Sequence, residues 1–271
     1  MTGGKYAALI SRLKALGSVA VAFSGGADSA LLLYAAHEAL GDRAAAITAL
    51  SPVFPRSEAD SAEEFCRRFG IRQLAAEFDI MKVPGFGSNP TDRCYHCKKA
   101  LLELLINTAR KEGPEHLAEG SNTDDEGDHR PGARAVAELG VISPLKDAGL
   151  SKSEIRELSK QLGLPTWDKP SYACLATRIP YGDVITLPKL TAIGRGEELL
   201  HSLGFLQCRV RLHGQLARIE IMPEQFEEIM RPEVRGKITR LFAEYGFSYV
   251  SLDLTGYRTG SMNETIKTTE V

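Results

Sequence analysis

The chain has 271 residues, 43% of them hydrophobic and 25% charged, with a formal net charge of −2. That length holds one large domain, or one of about 150–180 residues plus a smaller one. The near-neutral charge gives no global attraction to nucleic acid or to an anionic membrane, and no apolar run approaches the roughly 20 residues of a membrane helix. The N-terminal stretch "MTGGKYAALISRLKALG" spreads Lys5, Arg12 and Lys14 along an amphipathic pattern without a continuous apolar core, so no signal peptide is read and a cytoplasmic protein is expected. Stable disulfides are rare there, and the odd number of cysteines, five, agrees.

The valine-rich run "SVAVAF" (Ser18–Phe23) predicts a first strand, followed by a glycine turn and the helix "SALLLYAAHEAL". "AAAITAL" (Ala44–Leu50) predicts a second strand and "SEADSAEEFCRRFG" a helix ending at Gly70. "IRQLAAEFD" is a third strand. "DRCYHCKKALLELLINTARKEG" is a third helix, with Ala100, Leu101, Leu104, Leu105 and Thr108 on one side and Thr91 or Asp92 able to cap its start. "EHLAEGSN" predicts a fourth strand and "GVISPL" a short fifth. "SKSEIRELSKQLG" is a helix capped by Ser151, with Glu154 at the capping-box position. Strands alternating with helices imply a parallel sheet covered on both faces. After "PYGD" (Pro180–Asp183) the pattern becomes helix (Leu187–Leu203), two strands ("QCRVRLHG" and "LARIEIMP"), helix (Glu224–Tyr245) and strand ("YVSLDL"). The expected organisation is therefore α/β throughout, a parallel-sheet domain over 1–182 and a smaller α-β-β-α-β domain over 183–271. The tail "GSMNETIKTTEV" is polar and expected to fray.

"FSGGADS" (Phe23–Ser29) lies at the carboxyl end of the first strand, where ligands bind in a parallel sheet. Gly25 and Gly26 let backbone N–H groups turn inward, Ser24 and Ser29 add hydroxyls, and the following helix directs its positive end at the same spot. This suits a phosphate or pyrophosphate, with Asp28 as a partner for Mg2+, although a plain strand–turn–helix junction has the same composition. Neither GxxxxGKS/T nor GxGxxG occurs. SGGxDS at the end of a first strand resembles the signature of the PP-loop, or N-type ATP pyrophosphatase, superfamily. That resemblance implies cleavage of ATP between its α- and β-phosphates, leaving AMP on an acyl or carbonyl oxygen.

Cys66 in "EEFCRRFG" and Cys208 in "LQCRVRL" read as small buried hydrophobes. Cys94 and Cys97 stand three apart at a helix start, and Cys174 lies in "KPSYACLATRIPYG", a loop bracketed by Pro170 and Pro180. A thiol so placed faces a cleft, with Arg178 four residues on to stabilise a thiolate or a substrate anion, or else is a structural cysteine. "EGSNTDDEGDHRPG" (Glu119–Gly132) is a hydrophilic loop in which Asp124, Asp125 and Glu126 read as surface and Asp128 and Arg130 as candidate ligand contacts. Arg209 and Arg211 share a strand face, as a phosphate clamp or as a solvated face, with Glu220 on the neighbouring strand as a partner for one of them.

Together, SGGxDS, "NPTDRCYHCKK", "GSNTDDEGDHRPG" and "PSYACLATRIPYG" resemble the LarE family of ATP-dependent sulfur transferases over almost the whole chain. The resemblance implies adenylation of a carboxylate of a pyridinium biscarboxylic acid mononucleotide, then sulfur insertion to a thiocarboxylate, the precursor of a nickel-pincer nucleotide used by lactate racemase-type enzymes. It assigns ATP and Mg2+ to Ser24, Gly25, Gly26, Asp28, Ser29 and Gly120. The mononucleotide is then expected at Asp128, Arg130, Arg178, Arg209, Arg211 and Glu220, and catalysis at Asp28, Cys174 and Arg178. In one branch of the family a cysteine matching Cys174 gives up its sulfur and becomes dehydroalanine. In the other, cysteines matching Cys94 and Cys97 join it to hold a [4Fe-4S] cluster, and this chain has all three. Sulfide or another sulfur donor, a homo-oligomer (a hexamer among the options) and no nucleic-acid partner are the expected associations. The alternatives are a PP-loop tRNA thiolase, disfavoured by pI ≈ 6.3, a module that only binds nucleotide, and a zinc site with a fourth ligand such as His96.

Overall fold

The structure is a computed structural model that describes residues 2–54, 56–127, 131–169 and 173–258. It divides into two compact units: Met1–Phe86 with Asp92–Tyr172, and Gly87–Thr91 with Ala173–Val271.

In the first unit, α1 (Thr2–Ala15) leads to β1 (Val19–Ala22), α2 (Ala27–Leu40), β2 (Ala44–Leu50), α3 (Arg56–Phe69), β3 (Arg72–Glu77), α4 (Arg93–Glu112), β4 (His116–Ala118), α5 (Pro131–Glu138), α6 (Pro144–Asp147) and α7 (Lys152–Gln161). The strands form a parallel sheet in the order β3-β2-β1-β4, with Val19 in register with Ala44 on one side and His116 on the other. Strand periodicity sorts β1: Val19 and Val21 pack with Leu9, Leu31, Phe65 and Ile155 on one face, and Ala20 packs with Tyr95, Leu102 and Leu105 on the other. Both faces are covered, which is why β1 reads as a continuous apolar run.

Three expectations need correction here. "GVISPL" makes only a single bridge, Ala118 to Ile142, because Pro144 has no N–H for a ladder and instead opens α6 at its first turn. The apolar face of α4 is rotated from the one expected: Tyr95, Leu102, Leu105 and Ala109 are buried, while Ala100, Leu101, Leu104 and Thr108 are only half-buried. Asp92 occupies the N-cap position of α4 but makes no side-chain cap; its carboxylate meets His96 Nε2 at 3.1 Å. The Ser151/Glu154 capping box of α7 forms as expected.

In the second unit, α8 (Leu187–Ser202), β5 (Cys208–His213), β6 (Leu216–Ile221), α9 (Phe226–Ile229), α10 (Pro232–Glu244) and β7 (Tyr249–Leu252) build a sheet in the order β5-β6-β7, with β5/β6 antiparallel and β6/β7 parallel. The helix expected over Glu224–Tyr245 is broken at Arg231, which adopts φ −56°, ψ 136° ahead of Pro232, the conformation that proline imposes on its predecessor. The unit starts earlier than the expected join at 182/183. Buried Asn89 donates through Nδ2 to the carbonyls of Ile179 (3.3 Å) and Pro180 (2.6 Å), and its own carbonyl accepts from Gly182 N at 2.9 Å. These bonds tie the Cys174–Gly182 stretch and residues 87–91 to the second unit, a long-range closure that linear composition cannot show. Among the described residues no helix is long and apolar enough to cross a membrane.

Candidate functional site

In the first unit the glycine loop joins β1 to α2. Gly25 has φ 75°, and a Cβ there would stand 3.2 Å from the Glu58 carbonyl, so both backbone and space call for glycine. The Ser24 and Ser29 hydroxyls lie 3.1 Å apart, Ser24 N donates to Ser29 Oγ (3.3 Å), and Gly26 N donates to Ser24 Oγ (3.4 Å). Gly26 at the N-cap supplies no side-chain oxygen to the first-turn N–H groups of α2. Gly120 is pressed against this turn: a Cβ on it would stand 3.1 Å from Ser29 N and 3.3 Å from Asp28 Cβ. Ser24, Gly25, Gly26, Asp28, Ser29 and Gly120 thus do converge.

Two cations that local sequence reasoning missed join them. Lys152, at the start of α7 and 124 residues from Asp28, forms an ion pair with Asp28 Oδ2. Lys169 donates to Gly25 O (3.1 Å) and to Glu58 Oε2 (3.0 Å), while its carbonyl is held by Arg156 Nη2 (2.7 Å). Asp28 Oδ1 is buried without a hydrogen-bond partner. A hard, anionic oxygen left unsatisfied beside a phosphate-shaped loop is the donor that Mg2+ takes, so the residues present fit that ion.

The loop after β4 is more structured than a bare surface loop. Asp124 Oδ2 accepts from Lys152 N (3.0 Å) and Asp125 Oδ2 from Asn122 N (3.0 Å). Asp128 and Arg130 lie outside the described residues. At the end of β4, buried Glu119 accepts from Ser143 Oγ (2.8 Å) and Ser121 N (3.0 Å) and pairs with Lys98 (3.4 Å). Burial pushes its pKa up, but Lys98 and the serine hydrogen bonds outweigh that, and the carboxyl sits below the ordinary glutamate value.

The cysteines separate by exposure. Cys66 and Cys208 are buried; burial pushes the Cys66 thiol up to about 11 and raises Cys208 further, which makes both inert. Cys94 is exposed, and Cys97 and Cys174 are half-buried. Cys94 and Cys97 share the first turn of α4 in the first unit, and Cys174 belongs to the second. Among the described residues no three His, Cys, Asp or Glu side chains stand together as a metal site. As a donor set, three accessible thiols are nevertheless the chemistry that an iron–sulfur cluster takes.

In the second unit Arg178 is 1% exposed. Its Nε and Nη2 bind Glu197 (2.8 and 3.0 Å), and its Nη1 binds the carbonyls of Ala173 (2.9 Å) and Cys174 (3.1 Å) and Thr177 Oγ1 (2.8 Å). It therefore shapes the turn that carries Cys174, and its charge is matched by Glu197. Arg209 and Arg211 are buried, so the solvated-face alternative is wrong. Arg211 binds Glu220 Oε2 through Nε (3.1 Å) and Nη2 (3.0 Å) and reaches Thr177 O (3.1 Å), while Arg218 takes Glu220 Oε1 (3.1 Å). Arg209 donates to Cys208 O (2.6 Å) and lies over the Tyr257 ring at 5.1 Å. The Arg211–Thr177 bond joins the arginine pair to the Cys174 turn within one unit.

A parallel sheet with SGGADS at the end of β1, a glycine-lined helix start and converging lysines define an enzyme of the PP-loop, ATP-utilising type. No family model matches the chain. It is 42% identical over 246 residues to an uncharacterized protein of Synechocystis sp., covering 91% of this chain and 92% of that one. It is 35% identical over 263 residues to the pyridinium-3,5-bisthiocarboxylic acid mononucleotide synthase of Lactiplantibacillus plantarum, covering 97% and 95%. With one of the subunits of the glutamine-hydrolyzing GMP synthase of Archaeoglobus fulgidus the identity is 25% over 159 residues, 55% of this chain and 52% of that one. The chain belongs to the LarE family, that of the Lactiplantibacillus synthase.

Proposed function

We propose that the protein is an ATP-dependent sulfur transferase that converts a carboxylate of pyridinium-3,5-biscarboxylic acid mononucleotide to a thiocarboxylate. Full-length similarity to the synthase, in a chain that pairs a pyrophosphate-shaped loop with three accessible thiols, carries this reading. The substrate carboxylate oxygen attacks the α-phosphorus of ATP, and pyrophosphate leaves. Ser24, Ser29 and the N–H groups of Gly25 and Gly26 hold the departing phosphates at the positive end of α2, with Lys152 and Lys169 supplying charge. Asp28 holds Mg2+. Arg209 and Arg211 bind the mononucleotide phosphate, with Glu220 orienting Arg211 and Arg178 setting the Cys174 turn. Sulfur then attacks the acyl carbon and AMP leaves. Cys94, Cys97 and Cys174 would hold a [4Fe-4S] cluster, which when bound keeps one iron open to hydrosulfide because three thiolates leave the cubane one protein ligand short. The protein is proposed to work in the cytoplasm as a homo-oligomer, with sulfide or a sulfur carrier as co-substrate.

A second reading uses Cys174 alone, a half-buried thiol on a turn whose carbonyls are held by Arg178. Cys174 thiolate would then displace AMP to form a thioester. Loss of the Cys174 Hα with cleavage of its Cβ–Sγ bond would leave the thiocarboxylate and dehydroalanine. The test is anaerobic turnover with Mg-ATP, sulfide and the mononucleotide, read by mass spectrometry of product and protein. Exchange of oxygen for sulfur in the product over many turnovers, with Cys174 intact, supports the cluster. One equivalent of product with Cys174 reduced in mass by one sulfur and two hydrogens supports sacrifice. Pyrophosphate release with no thiocarboxylate refutes both.

A further inference from the structure

The first turn of α4 carries Cys94 and Cys97, yet Asp92 gives it no side-chain cap. With no side-chain cap there, packing along the side of the turn has more to do in ordering it. The side of the turn is held instead. Tyr95, between the two cysteines, is buried, and its hydroxyl donates to Glu138 Oε2 at 2.7 Å. The Arg134 guanidinium lies 3.6 Å from the Tyr95 ring centroid and pairs through Nε with Glu138 Oε1 at 3.2 Å. Lys99 Nζ closes the ring of contacts on Glu138 Oε2 (3.1 Å) and Tyr95 Oη (3.4 Å). Gly132, at the start of α5, packs alongside: a Cβ there would make ordinary contact with Lys98 Cβ (3.5 Å) and the Cys94 carbonyl (3.9 Å). α5 is therefore a wall against the cysteine turn, gripping it at Gly132, Arg134 and Glu138.

We propose that Tyr95, clamped by Arg134 and Glu138, is a positioning residue that presents the Cys94 and Cys97 thiols as one bidentate pair. Partners that orient metal ligands typically cost roughly ten- to a hundredfold in affinity when removed. Arg134 is exposed and Lys99 and Glu138 partly so, so their exchange reports on thiol geometry with little effect on the fold. The inference deepens the cluster reading, and it rests on that reading only for the iron measurement below.

The test uses the full chain with Glu138→Ala, Arg134→Leu, Tyr95→Phe and, as the conservative control, Glu138→Gln, whose amide oxygen still accepts from Tyr95. Phenylarsine oxide, which needs two thiols at once, is titrated into reduced, iron-free protein, and chelator-driven iron loss is timed after anaerobic reconstitution. The ATP-induced rise in melting temperature serves as the folding control. Glu138→Ala and Arg134→Leu are expected to bind the arsenical about tenfold or more weakly and to lose iron correspondingly faster, with Glu138→Gln close to wild type. Tyr95→Phe keeps the ring under Arg134 and should fall between. Wild-type arsenical affinity in Glu138→Ala and Arg134→Leu would overturn the proposal, whatever the iron result. A wild-type protein that holds no iron, with the arsenical loss still present, would remove the cluster reading and leave the positioning role standing.

Discussion

Glu220 offers the sharpest test of how the second unit is built. It is 0% exposed and accepts guanidinium hydrogen bonds from both Arg211 and Arg218. Replacing it with alanine leaves Arg211, itself buried, facing a hole, and strips Arg218 of one of its two carboxylates, the other being Asp253 at 3.4 Å. Breaking a buried pair from one side costs about 3–5 kcal/mol, because the remaining charge is desolvated without compensation. At roughly 2–4 °C per kcal/mol for a chain of this size, Glu220→Ala should melt roughly 6–20 °C below wild type. Glu220→Gln keeps shape and one acceptor and should lose less. Thermal and urea unfolding of both variants measure this. In a double-mutant cycle, Glu220→Gln with Arg218→Met should cost less than the sum of the single changes by roughly 0.5–3 kcal/mol. Glu220→Ala within about 0.5 kcal/mol of wild type would mean that the network is not stabilising and that burial does not set its strength.

Asp28→Asn should abolish ATP-dependent pyrophosphate release while the melting temperature moves by only a few degrees; wild-type release would remove the Mg2+ role of Asp28. Arg209→Ala should raise the KM for the mononucleotide roughly ten- to a hundredfold, the range of a lost charge-assisted hydrogen bond, and leave that for ATP alone; an equal loss for ATP would move Arg209 to the nucleotide side. Glu119 has a folded pKa below its ordinary value, so its stabilisation is present above about pH 4.3 and is lost as the pH falls through the folded value. The stability gap between wild type and Glu119→Gln should therefore close in acid below about pH 4.3, and a gap that widens there would reverse the sign of the linkage. Brief maleimide labelling of the native, iron-free chain, read by peptide mass, should mark Cys94, Cys97 and Cys174 and spare Cys66 and Cys208 until the chain is unfolded.

The glycine loop was legible because its signal is local. Six consecutive residues, Ser24–Ser29, follow an apolar strand and precede an apolar helix, and the structure places them at the carboxyl end of β1. Lys152 and Lys169 carried no such signal: each lies more than a hundred residues from the loop it meets, and nothing in "SKSE" or "DKPS" separates them from surface lysines. Alternation put Arg209 and Arg211 on one face, and the neighbouring strand offered Glu220 to one of them; that Arg211 takes it, and that the pair is buried, was not legible, because alternation shows which residues share a face and not what covers that face.

The period and punctuation of each element, the glycine loop, and the division of the cysteines into two that read as core and three that do not were all set by the order of residues. These depend on neighbours along the chain, where side-chain periodicity, missing Cβ atoms and capping residues act over one or two turns. Tertiary structure was needed to decide that residues 87–91 belong with Ala173–Val271, that Pro232 splits the last long helix into α9 and α10, that Arg178 is matched by Glu197 and not left facing a thiol, and that α5 braces the Cys94–Cys97 turn. Apart from the proline break, these are contacts between segments far apart in the chain. Their energies come from desolvated ion pairs and close backbone approach, which exist only once the chain has been folded around them.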